Sequence, residues 1–372
     1  MSSQSFADLG VSRPVVDALV RRGIKEPFAV QRLVIADVLA GQDVLVQSPT
    51  GSGKTLAFGV PIVDLLDAGA RGPAALVLAP TRELAGQIVD ELSAVARARD
   101  LSIAAVYGGV GFGPQIKAAR RAHIVVATPG RLEDLLQQGV LSLQQVRILV
   151  LDEADRMLDM GFKPAVDRIV KQTPADRQTL FFSATLEGAT GKVAGAYTRD
   201  PRRHVHAPKP ERRAVVIHRF VHVDSPSDKL PALLAELRHE RRGRTLVFVR
   251  TKRGADRLVK RLGQKKLPAV AMHGNKSQSQ RQRALASFER GDIDTLVATD
   301  VAARGIDVDD ITHVINFDAP EDRDAYVHRV GRTGRAGRNG AGVSFVLADQ
   351  ARDMRRIAKQ LGLGREFEGS RA

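Results

Sequence analysis

The chain has 372 residues, 43% of them hydrophobic and 27% charged, with a formal net charge of +15. At roughly 100–200 residues per domain, that length makes about two domains, and the mixture excludes a disordered chain, a collagen and a membrane-embedded protein. Cysteine is absent, which excludes disulfides, thiolate zinc sites and a cysteine nucleophile.

Short β-rich runs recur along the chain with helix-like stretches between them. The first half offers strands over 43–48, 74–80, 103–108, 123–128, 147–152 and 178–185. The second half offers them over 245–250, 269–274, 295–300, 313–318 and 342–348. Near-continuous apolar strands alternating with helices predict parallel sheets covered on both faces, an α/β architecture. The halves also align without a gap over 76–92 and 246–262, sharing Leu76/Leu246, Thr81/Thr251, Ala85/Ala255 and Leu92/Leu262. That predicts a duplicated domain. The boundary is expected within 202–213, which has two prolines and a charge run, so we divide the chain into 1–205, a linker 206–213 and 214–372. The end, 349–361, reads as an amphipathic helix with Met354, Ile357 and Leu361 on one side.

Two motifs carry chemistry in the first half. Residues 48–55 read SPTGSGKT after a strand and before a helix. Gly51 and Gly53, with Ser48, Thr50 and Ser52, let backbone N–H groups turn toward a phosphate at a helix N-terminus. Lys54 can reach the β- and γ-phosphates, and the Thr55 hydroxyl can ligate Mg²⁺. Asp152-Glu153-Ala154-Asp155 follows the strand ILVL, which sets carboxylates at the edge where open α/β sheets bind ligands. Asp152 would hold Mg²⁺ through water, and Glu153 would position or deprotonate an attacking water. Gln31 can pair with adenine N6 and N7, and Phe6 can cover the base.

The charge is uneven. Residues 1–200 carry 22 basic against 21 acidic side chains, and residues 201–372 carry 35 against 21. Charge concentrated in one half points to a polyanion partner. With 13 Phe, 3 Tyr and no Trp, the chain is poor in stacking platforms, so nucleic acid would be held by its sugar-phosphate backbone.

Taken together, these residues resemble the DEAD-box RNA helicases, and bacterial members such as the compact RhlE-like group. The resemblance rests on Phe6, Gly23 to Gln31, SPTGSGKT, PTRELA at 80–85, Gly108-Gly109, TPGR at 128–131, DEAD at 152–155 and SAT at 183–185. It continues through VFVRT at 247–251, HGNKSQSQR at 273–281, ATDVAARGID at 298–307 and YVHRVGRTGR at 326–335. It implies two tandem RecA-like domains, RNA-stimulated hydrolysis of ATP with Mg²⁺, and local, sequence-nonspecific remodelling of RNA duplexes. It also implies residue roles. Pro80, Thr81, Arg82, Gly109, Thr128, Gly130 and Arg131 would meet RNA on the first domain. Arg250, Gln278, Arg281, Thr299 and Asp300 would meet it on the second. Asp155, Ser183 and Thr185 would couple the acids to RNA. Gly305 and Asp307 would meet the nucleotide, Arg332 and Arg335 would be arginine fingers, and His328 and Arg329 would support the closed interface. Family members usually carry Thr or Ser where this chain has Phe28, so a hydroxyl expected to order the adenine loop is missing. The expected setting is cytoplasmic, because the start MSSQSFADLG has no basic stub before an apolar core. No membrane contact is expected. The core is expected to be monomeric, with RNA as partner and other proteins supplying targeting.

Overall fold

A computed structural model describes residues 4–49, 51–70, 72–206, 215–238, 243–303, 308, 310–334 and 338–369. The chain divides into two compact units, Met1–Pro208 and Lys209–Ala372.

The first unit is built on seven strands: β1 Val44–Gln47, β2 Ala75–Leu78, β3 Ile103–Val106, β4 Ile124–Ala127, β5 Ile148–Leu151, β6 Gln178–Ser183 and β7 Arg202–Val205. They lie in the order β3-β4-β2-β5-β6-β1-β7, and every pairing is parallel. Strands β2, β4 and β5 are buried at every residue. Alternate side chains of a strand point to opposite faces, and the core divides accordingly. Ala75, Val77 and Val150 join one hydrophobic cluster, while Leu76, Leu78 and Leu151 join the other. Both faces are therefore covered by helices, as apolar parallel strands require.

The second unit has six strands: β8 Val216–Val223, β9 Arg244–Phe248, β10 Val270–Met272, β11 Thr295–Ala298, β12 Ile311–Asn316 and β13 Gly340–Leu347. Their order is β10-β11-β9-β12-β13-β8, again all parallel. Matching β8 with β1, β9 with β2 and so on gives the order of the first sheet without β7. The duplication seen in the sequence is thus a duplication of topology. It extends to detail: Thr81 caps the helix Arg82–Arg97 by accepting the Leu84 N–H, and Thr251 caps Lys252–Gln264 by accepting the Gly254 N–H.

Two strands escape the sequence reading. The stretch read as boundary begins with β7, whose residues RRHV pair with β1. β8 reads VIHRFVHV and pairs with β13. The terminal helix forms over Ala351–Gln360 with Met354 and Ile357 buried, followed by a short helix, Gly364–Gly369, that buries Phe367.

Candidate functional site

Strand order sorts the motifs of the first unit into two neighbourhoods. The segments after β1, β5 and β6, which are adjacent strands, carry SPTGSGKT, DEAD and SAT. The segments after β3, β4 and β2, also adjacent, carry Gly108-Gly109, TPGR and PTRELA.

In the loop after β1, Gly51 and Gly53 have φ of +79° and +90°, a region that disfavours any side chain. A Cβ on Gly53 would also lie 2.6 Å from the Phe28 ring and 2.7 Å from Gln31 Nε2. The loop is therefore a bare-backbone cradle at the start of the helix Lys54–Leu65. The Lys54 side chain is buried, and its ammonium donates to the Ser48 and Pro49 carbonyls, 3.2 Å each. The Ser48 and Ser52 hydroxyls are 2.5 Å apart. The Thr55 hydroxyl hydrogen-bonds the Glu91 carboxylate, whose pKa is raised chiefly by burial. Thr50 lies outside the described residues.

Gln31 is buried, and both ends of its amide are held by the chain. Its Nε2 donates to the Gly53 carbonyl at 2.9 Å, and its Oε1 accepts the Phe28 N–H at 2.8 Å. One N–H and one lone pair remain for a ligand. The missing hydroxyl at position 28 is thus bypassed by backbone, and the Phe28 ring lies over Gly53 while staying 60% exposed. Phe6, expected at the base face, is instead a core residue, 1% exposed.

The acidic turn after β5 is strained and tightly bonded. Glu153 sits at φ 48°, ψ 50°, uncommon for a residue with a side chain. Asp152 Oδ1 accepts the Glu153 N–H at 2.9 Å, and the Glu153 carboxylate is paired with Arg156 at 2.6 Å. Asp155 Oδ2 accepts the N–H groups of Ala184 and Thr185 at 3.1 and 3.2 Å, which ties DEAD to SAT. Ser183 is buried, and its carbonyl accepts the Ser48 N–H at 2.9 Å, which ties SAT to the loop after β1. Burial pushes the Asp152 pKa up to about 7. Within that net value Lys54 and the Glu153 N–H pull downward, while the Glu153 and Asp155 charges add to the rise. A buried carboxylate that holds its charge at such cost is one that a divalent cation would stabilise. The residues present fit such an ion beside a phosphate chain.

On the other neighbourhood, Gly109 has φ +87°, and a Cβ there would strike the Arg82 guanidinium at 2.0 Å. The Arg131 guanidinium stacks 4.0 Å over the Phe112 ring and donates to the Val110 carbonyl. Pro80 and Thr81 are buried, and Thr128 starts the helix Pro129–Gln137 without using its hydroxyl as a cap. A Cβ on Gly130 would meet nothing within 4 Å.

In the second unit, the adjacent strands β10, β11 and β9 lead into Gln278 and Arg281, into Thr299 and Asp300, and into Arg250. The Gln278 Oε1 is buried without a hydrogen-bond partner among the described residues, and a buried polar atom of that kind calls for one. Arg281 and Thr299 are also buried, and the Arg250 N–H donates to Asp318. Arg329 is spent inside this unit. It bonds both Asp300 oxygens at 2.6 and 2.7 Å, then Asn316 and the Asp318 carbonyl, and lies 5.1 Å over Phe248. His328 is exposed on the same helix, and Arg332, half-buried, lies in the turn after it. Gly305, Asp307 and Arg335 lie outside the described residues.

Residues passed over in the sequence hold several of these groups. Arg156 grips Glu153 from three positions along, a helical spacing that could have flagged it. Gln115 clamps both backbone groups of Tyr107 after β3. Lys229 pairs with Asp318 from 89 residues away and left no local signal.

A buried ammonium, a glycine cradle at a helix start and a carboxylate pair at a parallel-sheet edge are chemistry for a nucleoside triphosphate and its metal. A family model described as DEAD/DEAH box helicase matches residues 28–192, and one described as helicase conserved C-terminal domain matches residues 228–337. The chain is 38% identical over 362 residues to the DEAD-box ATP-dependent RNA helicase CshA of Geobacillus kaustophilus, covering 95% of this chain and 76% of that one. This chain is a DEAD-box ATP-dependent RNA helicase. The helicase is also 41% identical over 360 residues to the ATP-dependent RNA helicase DeaD of Mycobacterium tuberculosis, covering 96% and 63%. Among solved structures it is similar to S. cerevisiae Dbp5 bound to RNA and ADP BeF3, with TM-score 0.81, 28% identity and coverage of 97% and 94%. A DEAD box protein from Methanococcus jannaschii is 37% identical, with TM-score 0.53 and coverage of 96% and 97%. Among the helicase's described residues, no helix is long and apolar enough to cross a membrane.

Proposed function

We propose that this helicase binds ATP and Mg²⁺ on its first unit, grips RNA by its backbone on both units, and hydrolyses ATP when the units come together. Lys54, Ser48, Thr50, Gly51, Ser52 and Gly53 cradle the phosphates, and Gln31 reads adenine. Thr55 and Asp152 hold Mg²⁺, which when bound neutralises charge on the phosphate oxygens. Glu153 orients the attacking water once it leaves Arg156. Pro80, Thr81, Arg82, Gly109, Thr128, Gly130 and Arg131, with Arg250, Gln278, Arg281 and Thr299, take RNA phosphates and sugars. Contacts of that kind carry little sequence preference. Gly305 and Asp307 meet the nucleotide, and Arg332 and Arg335 act as fingers on the γ-phosphate. Arg329, with Asp300, braces the segment that presents them. A cytoplasmic setting suits a chain without cysteine.

The observation that supports this reading best is the bonding of Asp155 to the Ala184 and Thr185 N–H groups. It joins the carboxylate turn to the segment held responsible for coupling. The test is ATP hydrolysis with and without RNA, using Lys54→Ala as the blank. RNA should raise turnover in the parent and not in the variant. Equal turnover with and without RNA would refute RNA-gated hydrolysis.

A further inference from the structure

We propose that the second unit carries a basic track for RNA phosphates beyond the strand ends, running along the helix Lys252–Gln264 and around the edge strand β10. The proposal rests on the reading of this protein as an RNA binder and names where the strand outside the core site would lie.

Two open depressions flank this helix. One, of about 600 Å³, is bordered by Arg250, Arg253, Arg257 and Asn275. The other, of about 570 Å³, is bordered by Lys276, Arg283 and Arg290. Asn275 and Lys276 are consecutive, so the depressions meet there. The first begins at Arg250, on the strand-end side where Gln278 and Arg281 also start their helix. The second opens along β10, which pairs with β11 and is an edge of the sheet among the described residues. Small residues, Ala269, Ala271 and Ala284, leave it room.

The charge fits a polyanion. Residues 252–266 hold seven Lys and Arg against one acid, Asp256. Lys276 pairs with Asp256 at 2.8 Å and Arg290 with Asp292 at 2.7 Å, and the Arg283 Nε donates to the Ser279 carbonyl. Lys260, Arg261, Lys265 and Lys266 are all exposed and add to the field. No aromatic ring borders either depression, so bases would find no stacking platform and the contact would be with the backbone alone. A helix of 13 residues is about 20 Å long, room for a few successive phosphates of one strand. Continuity with the Arg250 end favours RNA over an acidic peptide.

The experiment compares a short RNA of about ten nucleotides with the same RNA extended on both flanks. It uses the full chain and the triple variant Arg257→Gln, Arg283→Gln, Arg290→Gln. All three side chains are exposed, and Arg→Lys at the same positions is the charge-preserving control. The parent should bind the flanked RNA more tightly than the short one. In the Gln variant that advantage should disappear, with the salt slope of log K smaller by about two. ATPase stimulation by the short RNA should stay unchanged, and the Lys variant should behave as the parent. Equal affinity of the parent for both RNAs would overturn the track. So would loss of a polyglutamate peptide, and not of flanked RNA, in the Gln variant, which would make the surface a protein-docking face. If neither RNA binds the parent, the RNA reading itself fails and the track with it.

Discussion

Gly53 shows how little slack the nucleotide loop has. Its φ of +90° and its contacts with Phe28 and Gln31 both forbid a side chain, whereas Gly51 has the same backbone need with open space around it. Gly53→Ala should therefore displace Gln31 and lower ATP affinity by about tenfold or more, roughly 1.4 kcal/mol. Gly51→Ala should cost about 1 kcal/mol of strain and leave Gln31 in place. A fluorescent-nucleotide titration beside a denaturant midpoint separates the two, and equal affinities would contradict the packing argument. Glu153 invites a second test. Its carboxylate is buried against Arg156 in a strained turn, so the amide of Glu153→Gln fits the same space. That variant should retain ATP-dependent RNA binding while turnover drops by about 10²–10⁴. Normal turnover would remove Glu153 from the water-activating role.

At the scale of elements, each unit is held by contacts between strand ends and the helices that follow them. Arg329 joins the helix Arg323–Val330 to β12 and to Asp300 through four hydrogen bonds. The same helix reaches β8 through Tyr326, whose hydroxyl lies 2.7 Å from His218 Nδ1 with the two rings stacked. His218 is half-buried, and burial lowers its pKa from the ordinary value, a shift that Glu366 partly opposes. The native state thus prefers the neutral ring, and the unfolded chain takes up a proton first as pH falls. The stabilisation is present above about pH 6.5, the ordinary histidine value, and is lost as pH falls through the lowered folded value. Denaturant midpoints at neutral and mildly acidic pH should differ more in the parent than in His218→Phe. An identical difference in both would show that another group is responsible.

For the whole molecule, Lys54 belongs to one unit and Arg332 to the other. A finger that works from a separate unit makes hydrolysis conditional on the two meeting, and RNA held by both would favour that meeting. Arg332→Ala should lower RNA-stimulated turnover by about 10³ or more while leaving ATP binding to the first unit intact. Single-turnover hydrolysis with saturating RNA is the measurement, and an unchanged rate would break the link between the units.

Motif chemistry and the parallel α/β class were legible residue by residue. They rest on local patterns: apolar runs such as ILVL, glycines before Lys54, acids after a strand. Strands β7 and β8 were not legible, because both are sheet edges. RRHV and VIHRFVHV carry charged and polar side chains that edge strands tolerate, and their strand character comes from pairing with β1 and β13. Nor could the chain alone say that Gln31 would hold Gly53, that Asp155 would hold Thr185, or that Arg329 would be consumed by Asp300. Those partners lie 22 to 30 residues apart. Their meeting depends on strand order, which sets the segments after β5, β6 and β1 side by side, and only packing of both sheet faces against helices selects that order.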